Sequence, residues 1–369
     1  MKRILFGLMV LAGIVSCGSD SGTEDAIDNF DRTSMLTNWA DNIIVPAYEQ
    51  YVSDLAVLQS SAESFATQPS ESGLVALRSA WLTAYTSWQW VSMFEIGKAE
   101  EVSLRNFTNI FPTDADEIES HISSGSYNLA LPSTNDAQGF PALDYMINGL
   151  GENDAAIVAI YNNSSSGHAY VTYLSDLVNR LESLGSEVSS DWQSGYRDVF
   201  VGSDGSSGTS STNKLINDFV FYYEKFLRAG KVGIPAGVFS GSPISGAVEA
   251  LYHGEASKTL LQEALQASID FFNGKHFGSS SEGESLKAYL NYLNTIRNGE
   301  NLASLITDQF AVAQSKTASL DNNFVEQIST DNVGMLETYD ELQKNVVLMK
   351  TDMLQAFNVR VDYVDADGD

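Results

Sequence analysis

Residues 71–98 read ESGLVALRSAWLTAYTSWQWVSMFEIGK. Leu74, Leu77, Trp81, Tyr85, Trp88 and Val91 recur at threes and fours, and Met93 and Phe94 extend the run. That is the period of one face of an α-helix turned toward a core. Pro69, Ser70 and Glu71 open it. Trp81, Trp88 and Trp90 mark a heavily packed face, so they read as core and not as a cofactor box. Upstream, 34–66 repeats the period with Leu36, Trp39, Ile43, Ile44, Tyr48, Tyr51, Leu55 and Leu58. Downstream, helical patterns cover 154–162, 168–184, 214–229, 245–273, 283–296, 301–327 and 332–357, with stops at Asn273-Gly274, Asn298-Gly299 and Asn358. Val359 to Val364 is the only short β-rich run. The expected fold is therefore all-α, long antiparallel helices packed as two helical-bundle domains. Residues 203–212, SDGSSGTSST, have nothing to bury and set the expected boundary, 31–202 against 203–369.

The first 17 residues lie outside that pattern. Lys2 and Arg3 precede an apolar stretch, Ile4 to Val15, too short to span a bilayer. Ile14-Val15-Ser16-Cys17 resembles a bacterial lipobox, in which Cys17 is lipidated and becomes the first mature residue. Cys17 is the only cysteine, so disulfides and thiolate catalysis are excluded and the core must supply stability. Residues 18–30 begin GSDSGTEDAID, an acidic tether without periodicity. Gly18 after the cysteine is similar to outer-membrane sorting signals. The formal charge of −28 argues against nucleic acid and against a polybasic membrane patch. It raises the local cation concentration, although most such charge only solvates.

Residues 139–149, GFPALDYMING, form a second informative stretch. Gly139 permits close approach, Pro141 suits the first helical position, and Asp144 falls in the expected first turn, facing the helix dipole. Phe140, Leu143, Tyr145, Met146 and Ile147 make the helix apolar nearly all round, which implies deep burial, and Gly149 ends it. No HExxH motif, P-loop, dinucleotide glycine pattern or serine-hydrolase elbow occurs. Three constellations remain. Asp144 and Glu95 each offer oxygen to a hard cation such as iron or a divalent ion; the plain alternative is a dipole partner and an ion pair. Glu249 and His253 lie one turn apart on an expected helix face, a metal-ligand spacing or an exposed polar face. Asp365-Ala366-Asp367-Gly368-Asp369 resembles the first half of a calcium loop or an acidic tail.

Leu77-Arg78-Ser79-Ala80-Trp81, the Phe111-Pro112 turn, 139–149, Val232-Gly233-Ile234-Pro235 and the last helix into Val361 to Asp369 occur together in one order. In this the chain resembles the imelysin family, also classified as M75 peptidases and imelysin-like iron-regulated proteins, in the lipoprotein form typical of Bacteroidetes. The resemblance implies an all-helical protein of two bundle-like domains with a site near their interface. The family signature is Gly-x-His-x-x-Glu. Gly139 matches its glycine, Pro141 stands at the histidine and Asp144 at the glutamate. Pro141 cannot ligate a metal. The expected function is a lipid-anchored cell-envelope protein, in the outer membrane, that binds or assists in iron or haem uptake with an uptake-system protein and is not an active protease. The alternatives are a metallopeptidase of the M75 type and a metal-free interaction scaffold.

Overall fold

The computed structural model describes residues 28–363. Cys17, the signal stretch, most of the tether and the 365–369 acids lie outside the described residues. Helix α1 (Arg32–Asn38) runs through a wider π turn (Trp39–Ile44) into α2 (Val45–Thr67). A tight turn at Gln68–Ser70 leads into α3 (Glu71–Val91), where the Ser70 hydroxyl accepts from the Gly73 N–H at 3.2 Å. That bond satisfies one of the four donors a helix start leaves open. Helices α4 (Ala115–Ser124), α5 (Gly139–Asp144) and α6 (Gly167–Asp191) follow. Next come α7 (Ser211–Phe221), α8 (Ser257–Asn273), α9 (Leu302–Ala318) and α10 (Phe324–Val347). The fold is all-α; among the described residues the strands are one two-residue pair.

Helix α2 packs between α3 and α6, and α5 lies on α6. In the later part of the chain α8, α9, α10 and the π segment Tyr222–Gly233 pack on one another. Helix α3 packs on α8 and ties the two groups together. Phe271 of α8 shows how: its ring lies 5.0 Å from Trp39, 5.5 Å from Phe94 and 5.0 Å from Phe219. Full burial of a side chain this size contributes about 1.5–3 kcal/mol. Buried polar contacts cross the same ground. The Asn38 amide donates to Gly274 O at 3.0 Å and Glu284 O at 3.1 Å, and Trp90 Nε1 donates to Glu263 at 2.9 Å. Residues 203–210 are non-helical, where a boundary was expected, yet the described residues from Asp31 onward pack as one compact unit. None of the described helices is long and apolar enough to cross a membrane.

Several expected helices end early, each for a local reason. Helix α3 stops at Val91, not near 98, because the Arg105 Nε donates to Ser92 O at 2.8 Å and Gly97 turns the chain at φ +59°. Glu95 therefore sits in irregular backbone. The expected 245–273 helix begins only at Ser257, since Ala250 takes φ +57° and the Ser257 hydroxyl donates to Glu249 O at 2.8 Å. Asn298-Gly299 is no helix stop. Both take positive φ, 53° and 89°, and join Ile296–Arg297 to Glu300–Asn301 as a tight hairpin. A break does fall in the expected 327–332 interval, where Asp331 leaves helical backbone inside α10 (φ −150°, ψ 77°), and a further one falls earlier, between the end of α9 at Ala318 and the Asn323 cap of α10.

Candidate functional site

The 139–149 helix is placed by backbone, not by charge. Gly139 has φ +78°, and a Cβ on it would lie 2.2 Å from Thr108 O, so only glycine fits against that strand of chain. Gln138 caps the helix, which puts Pro141 at the third position rather than the first. The missing N–H still costs nothing there, because the first four donors have no helical acceptor. Asp144 lies beyond the first turn, so it does not face the helix dipole as expected. It is 1% exposed. Its carboxylate accepts from the Tyr252 N–H at 2.8 Å and from the Asn148 amide at 2.9 Å. Burial pushes its pKa up to about 7, against the pull of those donors.

The Tyr252 bond belongs to a loop seated on this helix. Tyr252 packs on Tyr145 at 5.2 Å, and a Cβ on Gly149 would lie 2.6 Å from the Tyr252 ring. His253 meets Trp81 edge-on at 5.8 Å, and Trp81 Nε1 donates to Phe140 O at 3.1 Å. Burial, with Arg78 nearby, lowers the pKa of His253. Glu249 and His253 do not share a helix face, because the chain turns between them at Ala250. Glu249 instead enters the core, 2% exposed, where it pairs with the Lys231 ammonium. Asn109 donates to it at 2.9 Å and Tyr85 at 3.1 Å, while Lys231 also donates to Gln89 Oε1 at 2.9 Å. Tyr85 stacks on Phe140 at 4.5 Å and 7°, so this buried network abuts the 139–149 helix. The sequence reading missed Lys231, Gln89, Asn109 and Tyr85 as polar partners. The available signal was Lys231 within Ala229 to Ile234, a stretch otherwise of small and apolar residues.

Glu95 belongs to a different cluster. Its carboxylate accepts from the Arg105 N–H at 2.9 and 3.2 Å, and its own N–H donates to Asp218 at 2.6 Å. Arg105 Nη2 bonds Asp218 at 3.0 Å. Burial pushes Glu95 up to about 7, opposed by Arg105 and reinforced by Asp218. Asp144 and Glu95 share no hydrogen-bond partner. A third set, Asp114, Glu117 and Asp136, brings carboxylate oxygens within 4.8 Å of one another at the start of α4, and is the one such group among the described residues. Asp114 is exposed and caps α4 through the Glu117 N–H at 2.9 Å.

A family model described as imelysin, peptidase M75, matches residues 44–348. The chain belongs to the imelysin family. Two solved structures share the fold. One, from Parabacteroides distasonis ATCC 8503 and named as an iron-regulated protein A precursor, is 17% identical with TM-score 0.69, over 87% of this chain and 95% of its own. The other, an imelysin-like protein from Psychrobacter arcticum 273-4, is 18% identical with TM-score 0.68, over 90% and 97%. A comparison with curated proteins finds no match. In this imelysin the three motif places fall on one short buried helix. Gly139 meets Thr108, Pro141 offers no ligand atom, and Asp144 is already bonded on both oxygens. A catalytic zinc site needs about three protein ligands and an open position. Among the described residues the motif helix lies in no such group.

Proposed function

We propose that this imelysin is a binding or accessory component of iron or haem uptake, held at the outer membrane by lipid on Cys17, and not a peptidase. The observation that carries the second part is the motif helix. Proline replaces the ligating histidine, and the Asp144 carboxylate is enclosed by Tyr252 and Asn148. The Parabacteroides fold relative, named as an iron-regulated protein, supports the first part. The lipobox-like Ile14-Val15-Ser16-Cys17 supports the anchor. Haem titration followed by absorbance, with equilibrium dialysis against iron, tests the uptake reading. Saturable binding tighter than millimolar is expected; weaker binding to both ligands would refute it. Cleavage of a peptide library that chelator abolishes, and that Asp144→Ala also abolishes, would restore the peptidase reading. The enclosure of Asp144 also favours a metal-free scaffold as a second reading. In that case Asp144→Asn lowers stability and leaves ligand binding unchanged.

A further inference from the structure

Two tyrosine hydroxyls meet on one carboxylate beside the motif helix. The Tyr145 hydroxyl donates to Glu119 Oε1 at 2.7 Å, and the Tyr170 hydroxyl donates to Glu119 Oε2 at 2.7 Å. Three separate elements supply them: Glu119 lies on α4, Tyr145 opens the π turn that continues α5, and Tyr170 lies on α6. Glu119 is the one carboxylate among the described residues that takes two phenols, and no lysine, arginine or histidine pairs with it there. Other phenol–carboxylate bonds are single: Tyr127 to Asp176 at 2.6 Å, Tyr85 to Glu249 at 3.1 Å and Tyr363 to Glu224 at 3.1 Å. The last two of those carboxylates also pair with lysines. Glu119, Tyr145 and Tyr170 are each only part-buried, so one side of the group faces solvent.

Oxygen donors alone suit a hard cation. Neighbouring oxygens bound at about 2.0 Å and at right angles lie about 2.8 Å apart. Each phenol already keeps nearly that spacing from the carboxylate. Burial, and the bond to Glu119, hold both phenols above their ordinary pKa, so their protons stay in place without a metal. A metal ligand must lose its proton. Attraction grows with the charge of the ion, so a trivalent cation displaces such protons far better than a divalent one. We propose that Tyr145, Tyr170 and Glu119 form a ferric-ion site. Each phenol O–H bond breaks, its oxygen keeps the electron pair and bonds iron, and two protons leave to water for each ion bound; the iron stays ferric. The solvent side leaves room for waters or a small chelating anion to complete the shell. The assignment rests on the iron reading above and gives it residues other than the motif places Pro141 and Asp144.

Titration of the full chain with ferric nitrilotriacetate, followed by visible absorbance, tests it. A phenolate-to-iron charge-transfer band is expected, absent from ferric nitrilotriacetate alone and saturating at one-to-one binding. Tyr145→Phe and Tyr170→Phe each weaken the band and lower the affinity about tenfold or more. Tyr127→Phe, which removes a single phenol–carboxylate pair, leaves both unchanged. Each substitution removes one hydroxyl from a part-buried ring, so thermal melts should stay close to the unaltered chain; were Tyr145→Phe to melt early, Tyr170→Phe carries the test. Excess gallium(III) should abolish the band, and zinc or magnesium equal to the iron should not. Absence of the band overturns the site, as does a band that both phenylalanine variants keep, or its displacement by equal zinc. Iron retained on dialysis without the band overturns this site and leaves the uptake reading standing, whereas no retained iron and no haem binding would sink both.

Discussion

Replacing Lys231 by methionine tests how this fold tolerates charge at its centre. Lys231 is 3% exposed and Glu249 2%. Methionine keeps most of the aliphatic stem and removes the ammonium, leaving Glu249 buried without a countercharge. Removing one partner of a buried pair costs about 3–5 kcal/mol. Asn109 and Tyr85 still donate to the remaining carboxylate, at 2.9 and 3.1 Å, which places the cost at the low end. With an unfolding entropy of about 2.1 cal/mol/K per residue, a chain of roughly 340 residues loses about 4 °C in Tm for ~3 kcal/mol. Urea unfolding followed by tryptophan fluorescence is suited to the measurement, because Trp39, Trp81, Trp88 and Trp192 are all fully buried. The double variant with Glu249→Gln separates the pair from its surroundings. It should lose less than the two single variants together, since no charge is stranded. If Lys231→Met costs under about 1 kcal/mol, or the two effects simply add, the pair is not the buried unit described here.

Gly139→Ala should lower stability by at least about 3 kcal/mol, since it combines a positive φ with a backbone clash at Thr108 O; a melt within 1 °C of the unaltered chain, about 0.7 kcal/mol, would contradict the geometry. Asp144 titrates higher in the folded chain than in the unfolded one, so between about pH 4 and 7 the folded state holds the extra proton. Its contribution is present at acid pH and lost as pH rises through 7, on the order of 2–3 kcal/mol between pH 5 and 7.5. Stability against pH should therefore flatten over that window in Asp144→Asn, and an unchanged slope would assign the titration elsewhere. Asn38→Ala strips the bonds to Gly274 O and Glu284 O and should cost about 2 kcal/mol by denaturant unfolding.

The sequence by itself determined the helical class. Period, caps and breaks are local properties: the 71–98 run folds back on 34–66 because Gln68–Ser70 interrupts two apolar faces that each need a partner. Gly139 and Pro141 were also legible, since a glycine beside a chain crossing and a proline near a helix start carry their reasons in their own chemistry. The polar partners were not legible. Glu249 and His253 look like one helix face until Ala250 turns the chain between them. Asp144 and Glu95 look like two free acids of one kind. Tertiary packing gives the first Tyr252 and Asn148, and gives the second Arg105 and Asp218. The reason is physical. A hydrophobic period fixes which face is buried, but a buried carboxylate takes its partner from whatever donor the packing brings within about 3 Å, and that donor lies far away in sequence.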